Sequence, residues 1–86
     1  MRTNFEKKYD VRWFENFDTH HWCLKFHGYS IHVSRIETED STFLIKIRDD
    51  ETERMKFRVT GELMEAKIKA EKRLGNIFAA DHGVYT

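Results

Sequence analysis

Four segments of the chain alternate apolar and polar residues with a period of two: 22–26, 29–35, 42–48 and 54–59. Such alternation is the mark of strands buried on one face. One set of positions is apolar (Trp22, Leu24, Phe26; Ile31, Val33; Phe43, Ile45, Ile47; Phe57, Val59) and the other carries the charges. His27 and Gly28 form a two-residue loop between the first two segments, because Gly is at home at positive φ and His tolerates it. This loop sets Phe26 opposite Tyr29, Leu24 opposite Ile31 and Trp22 opposite Val33. Polar connections at 37–41 and 49–53 extend the register: Val33 faces Ile45, Ile31 faces Ile47, and Ile47, Ile45 and Phe43 then face Met55, Phe57 and Val59. Apolar meets apolar in every pair, as cross-strand packing favours. The pattern predicts an antiparallel meander of three to four strands spanning 21–59.

The period changes after Thr60. Leu63, Ala66, Lys67, Ala70 and Leu74 recur at helical spacing, so a helix is expected over 61–75, its apolar stripe lying across the sheet. Thr60 is the expected N-cap, Glu62 and Glu65 suit the positive end of the macrodipole, Lys72 and Arg73 the negative end, and Gly75 the left-handed position that ends a helix. The fold class is therefore α+β, with one C-terminal helix packed across one face of the sheet. Residues 1–20 are rich in aromatics that fit two periods. Phe5, Tyr9, Trp13 and Phe17 recur every fourth residue, while Tyr9, Val11 and Trp13 alternate; a short helix or an extended arm packed on the domain is expected. In the tail, 76–86, Ile77, Phe78, Val84 and Tyr85 are too apolar for a solvated linker. Residues 1–86 form a single domain.

Charge changes the picture because of where it lies. The chain carries 15 basic and 15 acidic side chains, so no bulk field draws it to nucleic acid. Yet the outward strand positions carry Lys25, Lys46, Arg48, Arg54, Lys56 and Arg58 with no acid among them. The register sets Lys46 opposite Lys56 and Arg48 opposite Arg54, an arrangement costing a few tenths to about 1 kcal/mol per pair. Cations do suit solvent faces of strands and deter edge pairing. The alternative is a docking surface for an anionic partner, with Trp13 and Phe14 of the aromatic segment as added contacts, since exposed Trp and aromatic side chains mark binding hot spots or a homodimer surface.

Other chemistry finds little footing. Cys23 is the only cysteine and no internal disulfide can form. His21, Cys23 and His32 share one face with His27 near, but their spacing matches no structural zinc signature and a flat sheet does not close a tetrahedron. Cys23 lacks an oriented base and oxyanion donors. The carboxylates at 37–40 and 49–53 read as solvated turn residues, and the four isolated glycines form no phosphate-cradling loop. No catalytic residue, metal or cofactor is therefore expected. No apolar stretch approaches the roughly 20 residues of a membrane span, and no signal-peptide core is seen; a cytoplasmic protein without membrane contact is expected.

The strands followed by a helix over residues 22–75, with an uncovered basic sheet face, resemble the arm-binding domains of tyrosine recombinases and the AP2 domain of plants, which read a DNA major groove with such a sheet. The helix segment Glu65, Ala66, Lys67, Ala70, Glu71, Leu74, Gly75 is similar to those closing many small phage proteins. The second resemblance implies a phage-encoded modulator that inhibits nucleic-acid-handling or defence machinery in the host cytoplasm by protein contact. The first implies direct DNA or RNA binding through the same face.

Overall fold

The computed structural model describes residues 2–16, 18–50 and 52–83. Phe17, Val84 and Tyr85, marked by the sequence as aromatic or apolar, lie outside the described residues. The chain runs through α1 (Asn4–Tyr9), β1 (Phe14–Asn16), β2 (His21–Phe26), β3 (Tyr29–Arg35), β4 (Thr42–Arg48), β5 (Glu53–Thr60) and α2 (Leu63–His82). The strands form one antiparallel sheet in the order β1-β2-β3-β4-β5, and α2 packs against it. The meander thus has one strand more than the four expected.

The registers of β2 with β3, of β3 with β4, and of β4 with β5 as far as Ile47 are those the apolar alternation demands. His27 and Gly28 both take positive φ (46° and 83°), which matches the two-residue turn to the twist of the strands it joins. Trp22, Leu24, Phe26, Tyr29, Ile31, Val33, Phe43, Ile45, Ile47 and Val59 form the sheet side of the core, and Ala66, Ala70 and Leu74 the helix side. Phe57 and Leu63, expected in the core, are only partly buried at its margin. The reason for Phe57 is position: β5 is the last strand, so its ring lacks a neighbour on one side and instead lies under the Arg73 guanidinium at 5.9 Å.

The helix begins and ends later than expected. Thr60 is still the last residue of β5, and Glu62 is the N-cap, without a side-chain cap bond. Gly75 is an interior helical residue, because Ile77 and Phe78 prolong the stripe that packs on the core. The stop is Gly83, at φ 66°, with its N–H donating to the Ala79 carbonyl. Asp81, near that end, accepts from the Tyr29 hydroxyl at 2.6 Å and takes a two-pronged bond from the Arg54 guanidinium at 2.6 and 2.8 Å. Arg54, then the Tyr29 hydroxyl, hold the Asp81 carboxyl well below the usual carboxylate range, while the same contact pushes the Tyr29 phenol up. A Cβ built on Gly75 meets nothing within 4 Å. Gly75→Ala is therefore expected to raise stability by about 0.5–1 kcal/mol, read as a higher urea midpoint. A lower midpoint would place Gly75 at a helix end.

Residues 1–20 contain a short helix and an extended strand, but not where the two periods put them: α1 carries Phe5 and Tyr9, Val11 and Trp13 lie in the connection after it, and β1 begins only at Phe14. Thr3 caps α1 and closes a reciprocal box with Glu6: the Thr3 hydroxyl accepts from the Glu6 N–H at 3.1 Å and the Glu6 carboxylate from the Thr3 N–H at 2.8 Å. Phe5 and Tyr9 then stack on Phe26 with ring centroids 5.2 and 4.9 Å away. The segment is fastened to α2 by Glu71, a buried carboxylate accepting from the Thr3 hydroxyl at 2.5 Å and the Trp13 indole at 2.9 Å.

These two buried acids titrate in opposite senses. Burial pushes the Glu71 carboxyl up, and the bonds from Thr3 and Trp13 offset only part of that. Burial acts likewise on Glu6, but the N–H groups of Thr3 and Trp13, with Lys67 and Arg2, outweigh it and hold the carboxyl below its ordinary value. The folded state therefore binds the Glu71 proton more tightly than the unfolded chain, and this contribution to stability is lost as pH rises through the folded value. Glu6 contributes in the reverse direction, its stabilisation lost as pH falls. Glu71→Gln keeps the acceptor and removes the charge, so urea titrations across about pH 4 to 8 should show the fall with rising pH abolished. Glu71→Ala leaves the Thr3 hydroxyl and Trp13 indole without their acceptor and should cost about 1–3 kcal/mol at every pH.

Candidate docking face

Because α2 covers one side of the sheet, the alternate side chains project from the other. One row crosses all five strands: Phe14, Cys23, His32, Lys46 and Lys56 stand at successive partner positions. Below it runs Asn16, His21, Ser34, Leu44 and Arg58, and above it Lys25, Ser30, Arg48 and Glu53. Lys46 faces Lys56 as the sequence demands, and the like-charge pair is placed on the surface by the same alternation that buries Ile45 and Ile47.

Arg48 does not face Arg54. A bulge after Ile47 puts Glu53 opposite Arg48, and a one-residue irregularity is enough to change which way a side chain is carried. Arg54 leaves the face and binds Asp81 of the helix, with a further ion pair to Asp49 at 3.2 Å. Arg58 remains on the face but is paired with Glu39 of the β3–β4 connection at 3.0 Å. Lys25, Lys46, Arg48 and Lys56 are left as the cations without an ion-pair partner among the described residues. Phe14, at 65% exposure, stands at the far end of their row. Trp13 does not join it: its indole is half-buried against Glu71, with Lys67 5.6 Å over the ring.

Between the cations lies a shallow depression of about 260 Å³ lined by His21, His32, Ser34, Leu44, Lys46 and Arg48. His32 Nδ1 lies 3.3 Å from His21 Nε2, and His32 Nε2 lies 3.1 Å from the Ser30 hydroxyl. Burial, then the neighbouring His21, Arg48, Lys25 and Lys46, push the His32 imidazole below its ordinary value, so at neutral pH it is an uncharged hydrogen-bonding group among fixed cations. Ser30 and His32 both lie on β3, whose backbone is paired on both sides, so the N–H donors that acyl chemistry needs are consumed by the sheet. Burial pushes the Cys23 thiol up against the pull of Lys25, away from the thiolate that nucleophilic or metal chemistry requires. Among the described residues no three His, Cys, Asp or Glu side chains converge as a metal site.

No family model matches the chain, and neither a curated protein nor a solved structure does. No helix among the described residues is long and apolar enough to cross a membrane.

Proposed function

We propose that the chain is a non-enzymatic binding protein whose basic sheet face docks on an anionic surface of another protein. The observation that carries this reading is the Lys46–Lys56 pair: two like charges directly opposed, with Lys25 and Arg48 beside them, while the acids lie towards the margins, Glu53 opposite Arg48, Asp49 and Asp50 beside Lys25 and Arg48, and Glu39 on Arg58. Such a face is kept at a cost in stability, and an acidic partner surface repays that cost on contact. Nucleic-acid-handling and nucleic-acid-degrading defence enzymes expose such surfaces, because they hold divalent metals with clustered carboxylates. A phage-type modulator that blocks one of them in the host cytoplasm fits the size and the flat cationic surface.

The second reading, direct binding of DNA or RNA, is favoured by Phe14, an exposed ring in line with the cations on which a base can stack. Affinity purification with and without nuclease separates the two. The first reading expects a protein retained at fixed stoichiometry after nuclease treatment; loss of all bound material with the nucleic acid would overturn it.

A further inference from the structure

β5 is the terminal strand of the sheet and pairs on one side with β4, so the backbone N–H and C=O groups along its outer side have no strand partner among the described residues. A groove of about 470 Å³ runs between this edge and α2, lined by Phe57 and Arg58 of the strand and by Lys69, Lys72, Arg73 and Asn76 of the helix. The four helix residues fall at i, i+3, i+4 and i+7, on one face. Lys69, Lys72 and Arg73 have no ion-pair partner among the described residues. Lys72 and Arg73 lie at the middle of a helix that runs on to His82, so the macrodipole, whose influence is confined to the end turns, gives no reason for them.

We propose that this groove takes an extended, acidic segment of a partner protein as a sixth strand on β5. Strand addition supplies main-chain hydrogen bonds, and alternate side chains of the added strand read the two flanks. On one flank they meet Lys56 and Arg58, on the other the Phe57 ring and the Lys69, Lys72, Arg73 stripe. Acidic residues with interspersed aliphatics therefore complement it. β5 has eight residues, which at about 3.3 Å per residue accommodates a segment of roughly five to eight. Nucleic acid would satisfy the charge but offers no alternating row of N–H and C=O groups. A second copy of β5 is disfavoured, because the antiparallel registers centred on Lys56, Phe57 or Arg58, which keep both helices on one side, each set at least one of Lys56 and Arg58 directly against a cation of the partner copy.

This inference shares Lys56 and Arg58 with the open face, but its groove is walled by Lys69, Lys72 and Arg73 of the helix, which that face does not include, so it stands without that reading. The probe is a capped ten-residue peptide of alternating Glu and Val, titrated by fluorescence anisotropy. Saturable one-to-one binding is expected, with slowed amide exchange in β5. Lys69→Glu with Lys72→Glu should weaken it about tenfold or more, whereas Lys46→Glu with Arg48→Glu on the open face should change it by less than about threefold. N-methyl groups on alternate amides of the peptide should abolish binding in one phase and spare it in the other, since only one side of an added strand faces the edge. The proposal is overturned if the peptide does not bind, if both methylation phases act alike, if reversal of Lys69 and Lys72 is without effect, or if β5 amides gain no protection. An oligothymidylate of equal charge binding more tightly than the peptide would also overturn it.

Discussion

Phe43→Ala should cost about 3–5 kcal/mol and leave the protein close to unfolded. Phe43 is 1% exposed, sits on β4 between β3 and β5, and packs edge-on to Trp22 with ring centroids 6.1 Å apart. A domain of 86 residues has a total stability of about 4–13 kcal/mol, so the loss takes about a quarter of it at the least. α2 is held near its middle by Glu71 on the N-terminal segment and at its C-terminal end by Asp81 on β5, so it cannot settle into the space left behind. Phe57→Ala makes the informative contrast. Its ring lies at the margin of the core under Arg73, and its truncation should cost well under half as much in the same urea titration. Equal losses at the two positions would mean that the core extends evenly to β5.

The difference between those two phenylalanines shows where the sequence is informative and where it is not. Alternation places Phe43 and Phe57 alike on the inner face, and they do face Val59 and Ile45 as the pattern demands. Burial depends further on which strand is last, and periodicity carries no sign of that. β1 went unseen for a related reason: Phe14, Glu15 and Asn16 are all exposed, so they show no apolar alternation. The signal that was available at this end is the Thr3 to Glu6 spacing, a capping box that fixes the start of α1.

The helix end was misplaced because a glycine near basic residues looks like a stop, whereas here Ile77 and Phe78 continue to pack and Gly83 carries the left-handed turn. That extension matters for the sites. It turns Lys72 and Arg73 from end-charges into the wall of a groove, and it brings Asp81 to Arg54. Of the six cations read as one face, Lys25, Lys46, Arg48 and Lys56 are there without ion-pair partners among the described residues, Arg58 is there but paired, and Arg54 is not. The bulge after Ile47 that removes Arg54 is invisible in the sequence, because Arg54, Lys56 and Arg58 keep perfect alternation.

Reversing Lys46 and Lys56 to Glu should abolish docking through the open face and leave folding nearly unchanged. Both side chains point away from the core, and a Glu–Glu pair replaces a Lys–Lys pair at similar cost. The single change Lys56→Glu separates the two effects of charge. It places an acid opposite Lys46, so stability should hold or rise by a few tenths of a kcal/mol up to about 1. Association with the anionic partner should slow, because charge at an interface acts chiefly on the encounter rate. A solvent face without a partner would show the first effect alone. The direct measurement is association kinetics of the parent, Lys56→Glu and Lys46→Glu/Lys56→Glu proteins with the partner recovered after nuclease treatment, each at several salt concentrations. The predicted result is a stepwise fall in on-rate to no detectable binding in the double variant, with the parent's salt dependence lost alongside and unfolding midpoints preserved; undiminished binding by a folded double variant would contradict it.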